Sequence, residues 1–286
     1  MIRTWKWIWS HPLTRRRRFA AMMRWLRWQV GSRVVGHPVV VPFVGESRLV
    51  VERSMTGATG NIYCGLHEFS DMAFVLHCLR GEDLFVDVGA NIGSYTVLAS
   101  GVVGCRTVSI EPVPGTFRKL ERNVRINALE ERVQLHHCAA GAREGEVWFR
   151  TDHDTMNRVV AQSDPVEKMR VVVCGLDTIL GGEVGELWKV DVEGYEWEVL
   201  QGAAGSLSDR RLKGVMLEGN DERIAALMRG AGFESMVYDP WGRTLTAISV
   251  GAGGKAQGNH LWVRDLSWVE DRCRGASKVE LNGESF

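Results

Sequence analysis

A glycine-rich turn that follows an apolar run is the first candidate for chemistry in this sequence. The run occupies residues 84–88, and Gly89-Ala90-Asn91-Ile92-Gly93 comes directly after it. Glycines permit a tight turn and close backbone approach, and a helix beginning after the turn offers unpaired N–H groups to an anionic group. Ligands in open α/β sheets bind at this carboxyl edge of the strands. The turn therefore predicts a ligand site at Gly89, Ala90, Asn91 and Gly93.

Two acidic side chains accompany this turn. Asp87 lies near the end of the apolar run, and Glu111 ends the next predicted strand. The Gly-x-x-x-Gly spacing differs from the Gly-x-Gly-x-x-Gly of dinucleotide folds, and a nearby acid disfavours a pyrophosphate. The carboxylate of Glu111 is placed to accept both hydroxyls of a ribose. These features favour S-adenosylmethionine over NAD, with the methionine carboxylate at the turn.

Two further acidic motifs follow the fourth and fifth predicted strands. Asp191 and Glu193 follow the fourth strand, and Glu218 ends the fifth. Methyl transfer to a hydroxyl requires that the acceptor be aligned and its proton removed. We predict Asp191 and Glu193 as candidate bases, with Glu218 in support. The alternative is that Asp191 caps the helix that follows and Glu193 favours its N-terminal dipole.

A divalent metal is a second interpretation of these acids. Asp191, Glu218 and Asn220 offer oxygen ligands of the kind that a Mg²⁺-like ion takes, and such an ion would acidify a bound hydroxyl. The sequence has no histidine cluster for a softer metal. We do not favour the metal, and the prediction assigns no metal ligand.

The elements that must position these residues alternate between strands and helices. The predicted strands are 84–88, 106–111, 132–137, 187–192, 213–218, 234–238 and 260–264, and the predicted helices are 93–100, 115–127, 195–204 and 221–230. Such alternation is typical of a parallel sheet covered on both faces. We predict a Rossmann-like, doubly wound α/β sheet of about seven strands, the class I methyltransferase fold.

Other segments surround this predicted core. A hairpin of residues 145–150 and 170–174 encloses a polar loop that is long enough to act as a lid, and the loop contains Asp152, His153, Asp154 and Asn157. We divide the chain into a basic N-terminal extension, a pre-core segment of strands and a helix, the methyltransferase domain and a C-terminal tail. The boundaries are 1–36, 37–80, 81–266 and 267–286.

The N-terminal extension is rich in tryptophan and basic residues. Residues 1–45 contain nine Lys or Arg and no Asp or Glu, although the chain as a whole has no net charge. Helical spacing runs from Arg15 to Arg33 and is typical of an interfacial amphipathic helix. The same spacing fits a core-facing stripe of Phe19, Met22, Met23, Leu26 and Val30. We favour packing over peripheral membrane contact.

Apolar runs and cysteine spacing indicate where in the cell the protein is located. No uninterrupted apolar run approaches the ~20 residues that span a bilayer, and arginines interrupt any signal-peptide core. The six cysteines show no CxxC spacing. Cys105, Cys138 and Cys174 lie in apolar runs and are predicted to be core residues. We expect a cytoplasmic protein without an export signal, with peripheral membrane contact as the alternative.

These motifs together resemble the FkbM family of S-adenosylmethionine-dependent methyltransferases. The matching motifs are residues 85–93, Glu111-Pro112, Leu176-Asp177, residues 189–196 and Leu217-Glu218. The resemblance implies O-methylation of a small-molecule or glycan hydroxyl, on a sugar, a polysaccharide precursor or another natural product. It also implies that Glu68 and Pro112 approach the cofactor and that adenine meets backbone groups near Ala139.

Two other function classes compete with this prediction. A nucleic-acid methyltransferase would use the basic extension to bind phosphates. Enzymes that methylate base nitrogens typically carry Asn/Asp-Pro-Pro-aromatic where this chain has Asp191-Val192-Glu193-Gly194, so we consider nucleic acid an unlikely substrate. The second competitor is a non-catalytic peripheral membrane protein that retains the fold. The presence of Asp87, Glu111, Asp191 and Glu193 argues against such decay.

Overall fold

The structure is a computed structural model that describes residues 2–53, 55–150, 159–161, 163–219, 221–248 and 259–286. The α-helices are α1 (Ile2–Ser10), α2 (Arg18–Val35), α3 (Thr56–Cys64), α4 (Phe69–Cys78), α5 (Ser94–Val97), α6 (Pro114–Ile126), α7 (Leu176–Leu180), α8 (Glu196–Gln201), α9 (Ala204–Ser208), α10 (Glu222–Gly230) and α11 (Leu266–Gly275). A 3-10 turn (Pro12–Thr14) joins α1 to α2, and a π-helical stretch (Leu98–Val103) continues α5.

The strands form one large sheet and three smaller ones. They are β1 (Val39–Pro42), β2 (Arg48–Val51), β3 (Leu84–Val88), β4 (Arg106–Ile110), β5 (Val133–His136), β6 (Ala139–Gly141), β7 (Gly145–Arg150), β8 (Val159–Val160), β9 (Lys168–Gly175), β10 (Leu187–Val190), β11 (Gly214–Glu218), β12 (Glu234–Asp239), β13 (Thr244–Ala247), β14 (Asn259–Val263), β15 (Glu280–Leu281) and β16 (Glu284–Ser285). Two of the smaller sheets are the hairpins β1–β2 and β15–β16.

The large sheet has eight strands in the order β13-β12-β14-β11-β10-β3-β4-β5. Its strands from β5 to β11 are parallel, whereas β14 is antiparallel to both β11 and β12. The chain winds outward from β3 in both directions, through β4 on one side and β10 on the other. This confirms the doubly wound α/β fold, with one strand more than the seven predicted, because β13 pairs with β12 at the edge.

The large sheet separates two apolar cores. On β3 the neighbours Phe85 and Val86 point to opposite faces and join different clusters of buried side chains. Helices α4 and α11 cover one face, and α8 and α10 cover the other. A strand buried on both faces reads as a continuous apolar run, which is why the run at residues 84–88 predicts its strand so well. This rigid centre fixes the positions of the strand ends.

The predicted hairpin is present and belongs to a second sheet, of order β6-β9-β7-β8. Strand β7 pairs with β9 in antiparallel register from Gly145 opposite Val173 to Arg150 opposite Lys168. Strand β6 places Ala139 at one edge of this sheet, parallel to β9. The predicted lid residues Asp152, His153, Asp154 and Asn157 lie outside the described residues.

The N-terminal extension packs through a different face than we expected. Of the predicted core-facing stripe only Met22 is buried. The other members are exposed, with exposed fractions of 78% for Phe19, 54% for Met23, 46% for Leu26 and 56% for Val30. The opposite face of α2 carries Trp25 and Trp28, which pack with Tyr63 of α3. The stripe prediction is wrong for these four residues because the bulkier indoles occupy the face turned toward the domain.

The C-terminal segment is folded onto the domain. Helix α11 packs beside α4, and the terminal Phe286 is buried. The cysteines are free; Cys105 and Cys138 are buried as predicted, and Cys174 is half-buried. Within the described ranges, no helix has the length and apolar composition needed to cross a bilayer.

Candidate functional site

A crevice at the carboxyl ends of β3, β4, β10 and β11 gathers most of the predicted site residues. Its main cavity of about 260 Å³ is lined by Glu68, Asp87, Gly89, Ala90, Asn91, Asp191, Glu193 and Glu218, among others. An adjoining cavity of about 90 Å³ shares four of these residues and adds Glu111 and Pro112. A small cavity of about 10 Å³ adds Ala139 beside Pro112. Gly93 lines none of these three cavities.

Asp87 is buried on β3, and only one of its two carboxylate oxygens has a hydrogen-bond partner. Its Oδ2 accepts a hydrogen bond of 2.7 Å from the Thr96 hydroxyl, whereas its Oδ1 is buried without a hydrogen-bond partner. Burial raises the pKa of this carboxyl, and the positive charge of Lys189 partly opposes that rise. An unpaired buried oxygen costs free energy unless a ligand or water satisfies it. The Oδ1 atom therefore fits the ammonium group of an amino-acid ligand.

Two glycines of the turn are required for different reasons. Gly89 has a φ of +77°, and a Cβ at this position would overlap the carbonyl oxygen of Asp191. The turn after β3 thus touches the loop after β10 through a contact that only glycine permits. Gly93 has a φ of +87°, and a Cβ there would lie 2.5 Å from the Leu120 side chain. Gly93 therefore contributes to packing beneath the site.

The backbone N–H groups of the turn itself are already paired. Those of Gly89 and Ala90 donate to Ile110, at 2.9 and 3.0 Å, and that of Gly93 donates to Ala90 at 2.8 Å. The remaining two N–H groups, those of Asn91 and Ile92, donate to side chains of Glu111 and Asn91. The turn folds back on β4 and satisfies its own donors, so these five N–H groups do not await an anionic group.

Glu111 is held in one orientation by two backbone donors. Its Oε2 accepts from the N–H of Asn91 at 3.0 Å, and its Oε1 accepts from the N–H of Val113 at 2.9 Å. Burial raises the pKa of this carboxyl to about 7, against the lowering effect of the two N–H groups. Each carboxylate oxygen retains a second lone pair. This arrangement fits the acceptance of two vicinal hydroxyls, as predicted for a ribose.

Lys189, Asp191 and Glu218 form a charged network on β10 and β11. The Lys189 ammonium lies 2.5 Å from Asp191 Oδ2, and the lysine side chain is 4% exposed. Burial tends to raise the pKa of Asp191, but the charge of Lys189 and hydrogen bonding to Glu218 and Lys189 together lower that pKa. Hydrogen bonding to Asp191, followed by burial, raises the pKa of Glu218 to about 9. The lowered pKa of Asp191 and the raised pKa of Glu218 favour the proton of this pair on Glu218.

Comparison with known protein families identifies the family of this chain. Residues 87–235, just over half of the chain, match the family described as Methyltransferase FkbM domain. The chain belongs to the FkbM methyltransferase family. This confirms the resemblance seen in the sequence, and the match begins at Asp87 and extends past Glu218.

Curated relatives of this FkbM domain match the chain over only part of their own lengths. The chain is 28% identical to Methyltransferase 1 of Beauveria bassiana over 160 residues, which are 47% of the chain and 64% of the relative. It is 29% identical to Hexuronic acid methyltransferase AglP of Haloferax volcanii over 128 residues, which are 44% of the chain and 52% of the relative. The chain therefore spans between half and two thirds of these relatives.

Solved structures resemble the chain more distantly. An rRNA methylase from Streptococcus thermophilus is 14% identical, with a TM-score of 0.39 over 67% of this chain and 91% of the methylase. We identify the fold of the FkbM domain from its own strand order, in which β3 lies between β4 and β10.

The predicted capping role of Asp191 is not realised in this FkbM domain. Helix α8 begins at Glu196, and its N-cap residue, Tyr195, makes no capping hydrogen bond. Instead, the Glu196 carboxylate accepts the N–H groups of Val192 at 3.3 Å and Gly194 at 3.1 Å. Asp191 lies before this loop and is turned to Lys189. The Asp191 side chain therefore does not cap α8.

The metal interpretation meets a competing charge. Oxygen atoms of Asp191, Glu193 and Glu218 lie within 4.8 Å of one another and form the only such acidic group within the described ranges. The ammonium of Lys189 already supplies a positive charge to Asp191, and it would repel a divalent cation at the same place. Asn220, the third predicted oxygen ligand, lies outside the described residues. We assign no metal to the site.

Sequence reasoning missed several residues of the site. Tyr95 donates its hydroxyl to Glu68 Oε2 at 2.8 Å, and the Lys189 ammonium lies 4.7 Å from the centre of the Tyr95 ring. Burial raises the pKa of Asp71, on α4, to about 7. The importance of Lys189 could have been predicted from the sequence. This lysine is the one charged residue in the apolar strand β10, and a buried charge requires a partner.

Proposed function

We propose that the protein transfers a methyl group from S-adenosylmethionine to a hydroxyl of a sugar-containing acceptor. The observation that carries this proposal is the pair of carboxyls on adjacent strands, Asp87 with an unpaired buried oxygen and Glu111 with a fixed orientation. Family membership supports methyl transfer. The name of the Haloferax relative, a hexuronic acid methyltransferase, supports a sugar acceptor.

The crevice offers a place for each part of the cofactor. Asp87 Oδ1 would accept from the ammonium group, and the two oxygens of Glu111 would accept from the ribose hydroxyls. Backbone groups near Ala139 and Pro112 would meet the adenine. The bound cofactor supplies an electrophilic methyl group on a sulfonium. Glu68, fixed by Tyr95, lies across the main cavity and would complete the wall on the side of α4.

The acceptor hydroxyl needs a carboxylate in the crevice that can take its proton. The charge of Asp191 is compensated by Lys189, and the raised pKa of the neighbouring Glu218 favours the protonated form of that carboxyl. A carboxylate with a lowered pKa is a weak base, which suits it to orient the hydroxyl. Glu193 lines both the main cavity and the adjoining cavity of the crevice. Its backbone is strained, with a φ of +53°. Glu193 is therefore the proton acceptor in this proposal.

The test is transfer of a labelled methyl group from S-adenosylmethionine to a panel of glycosides. General-base catalysis contributes about 10²–10⁴-fold, so Glu193→Gln should lower kcat by at least about 100-fold. The same variant should leave the affinity for S-adenosylhomocysteine unchanged. A wild type that binds the cofactor and methylates RNA but no glycoside would replace this proposal with the nucleic-acid alternative.

A further inference from the structure

A second cavity lies between the N-terminal helices and α3. It has a volume of about 570 Å³, roughly twice that of the main crevice cavity. Its lining includes Arg3, Trp7, Trp25, Trp28, Arg33 and Tyr63. Its size falls within the range of small-molecule sites. We call it the helical cavity.

Aromatic faces form much of the wall of the helical cavity. Trp7, Trp25 and Trp28 are half-buried, so each indole keeps part of its surface accessible from the cavity side. Tyr63 adds a fourth ring, and its hydroxyl accepts from the Gln29 amide at 3.2 Å. Such flat apolar faces with polar tips suit the C–H face of a sugar ring and its hydroxyls. The wall therefore fits a carbohydrate better than a purely apolar ligand.

The charge of the helical cavity is one-sided. Arg3, Arg33 and Arg53 line it, and none of its described lining residues is acidic. The Arg33 guanidinium donates to the Gln29 side chain at 3.0 Å, which is a neutral partner. A guanidinium matches a carboxylate or phosphate with two parallel hydrogen bonds. The cavity therefore favours an anionic ligand.

The helical cavity adjoins the crevice through His67. This residue lines both cavities, and its ring lies 5.0 Å from that of Trp7. A Cβ on Gly60 would overlap the His67 ring, so the glycine lets the imidazole lie against α3. Its Nδ1 is buried without a hydrogen-bond partner. One neutral ring thus separates the space for the cofactor from the basic, aromatic cavity.

We propose that the helical cavity binds the anionic part of the methyl acceptor, a sugar ring that carries a carboxylate or a phosphate. The ring lies against the indoles, its charge pairs with Arg3 and Arg33, and a hydroxyl of the same or the adjoining sugar reaches the crevice past His67. This inference rests on the proposed function, because it identifies the substrate class of that site.

The test measures binding without catalysis. Methyl glucuronoside, methyl glucoside and glucose 1-phosphate are titrated into the full chain, and S-adenosylhomocysteine is titrated separately. We expect the glucuronoside or the phosphate to bind at least about 10-fold more tightly than the uncharged glucoside, and the tighter of the two identifies the acid. The double variant Arg3→Gln/Arg33→Gln should lose that preference. Arg27→Gln, on the same helix but outside the cavity lining, should retain it.

The outcomes separate this inference from the proposed function. If S-adenosylhomocysteine binds but neither anionic probe is preferred over the glucoside, or if the double variant binds them as the wild type does, the helical cavity is not the acceptor site. If S-adenosylhomocysteine does not bind, the proposed function fails. The anionic preference and its loss in the double variant would then still show an anion-binding sugar site.

The face of α2 that points away from Trp25 and Trp28 supports a second, independent inference. Phe19, Met23, Leu26, Val30 and Val34 follow one another at helical spacing, and all are exposed. Trp9 of α1 extends this apolar stripe, with its ring 5.9 Å from that of Phe19. Contiguous exposed apolar surface marks an interaction site. The stripe lies in the segment that contains nine basic and no acidic residues.

We infer that the apolar stripe docks on the surface of an anionic lipid bilayer. Apolar side chains bordered by arginines bind such a surface by burial and by attraction to the lipid headgroups. A second copy of the chain is a poorer occupant. A two-fold interface would bring the same basic segment of both copies together, without any acid in the segment to compensate.

The test is co-sedimentation with vesicles of phosphatidylglycerol and phosphatidylcholine, compared with phosphatidylcholine alone. The double variant Phe19→Ser/Val30→Ser should bind the anionic vesicles at least about 10-fold more weakly. Val172→Ser/Val237→Ser is a matched control, since Val172 is 55% exposed and Val30 is 56% exposed. Unchanged sedimentation of the stripe variant would overturn the inference. So would a wild-type dimer that the stripe variant converts to a monomer.

Discussion

The carboxyls on the two sides of the crevice are held in different ways. On β3 and β4, Asp87 and Glu111 accept from a hydroxyl and from backbone N–H groups, which are neutral donors. On β10 and β11, Asp191 and Glu218 are held by the Lys189 charge and by a shared proton. Neutral donors fix the orientation of the first pair, whereas a buried cation holds the second pair. This difference is the basis for our proposal that the first side binds the cofactor and the second side aligns the acceptor.

The largest effect should come from removing the charge that holds the second side together. Lys189→Met leaves the half-buried carboxylate of Asp191 without its cation. Breaking a buried ion pair on one side costs about 3–5 kcal/mol, and because the Asp191 side chain is 30% exposed we expect a loss of about 3 kcal/mol in the free energy of unfolding measured with urea. The control is Lys189→Met/Asp191→Asn, which should recover part of the loss. A single variant as stable as the wild type would contradict the network.

The contact between the two sides is the next target. Gly89→Ala would drive its Cβ into the Asp191 carbonyl oxygen and would strain a left-handed backbone. We expect a loss of about 2–3 kcal/mol in unfolding free energy, together with weaker binding of S-adenosylhomocysteine. Gly115→Ala is the control, because nothing lies within 4 Å of its Cβ in α6. That change should be neutral or should stabilise by up to about 1 kcal/mol. Equal effects of the two substitutions would show that the turn and the Asp191 loop are not in contact.

Glu111→Gln tests the fixed geometry of the first side. The amide NH₂ faces one of the two backbone N–H groups that the carboxylate now accepts, so one hydrogen bond and one ribose contact are lost. We expect the calorimetric affinity for S-adenosylhomocysteine to fall by about 10-fold, the equivalent of about 1.4 kcal/mol. Glu131→Gln, on the exposed loop before β5, should leave the affinity unchanged. A Glu111 variant that binds as the wild type does would remove this residue from the site.

Glu218→Gln should leave the protein at least as stable as the wild type at neutral pH. The folded pKa of Glu218 is raised to about 9, so its stabilising contribution is present at low pH and is lost as the pH rises through about 9. Glutamine imitates the protonated carboxyl and donates to Asp191 at every pH. The unfolding free energy of the variant should therefore fall less than that of the wild type between neutral pH and about 9. Parallel curves would show that Glu218 does not hold the proton.

The central strands β3, β10 and β11 were predictable because each is buried on both faces. An apolar run with no alternation, followed by Gly89 or by an acid such as Glu111 or Asp191, indicates both the strand and its functional end. Strand β13 was missed because it is short, and most of its residues are exposed at the sheet edge. The spacing of strand ends thus predicted most of the crevice without any knowledge of contacts.

Other parts of the site depend on contacts that the sequence does not reveal. Three N–H groups of the turn donate to Ile110, at the end of β4, and to Glu111, directly after it. On α2, apolar residues occupy both faces, so helical periodicity alone did not indicate which face packs. Only the contact of Trp25 and Trp28 with α3 decides it. The same contact creates the helical cavity.

The central claim is that the cofactor lies across the ends of β3 and β4, with Asp87 Oδ1 as its ammonium acceptor. It is tested most directly by calorimetric titration of S-adenosylhomocysteine into the wild type and Asp87→Ala, with folding checked by circular dichroism. The account predicts micromolar binding to the wild type and an affinity at least about 100-fold lower in the folded variant. Equal affinity in both proteins, or no binding to the folded wild type, would contradict it.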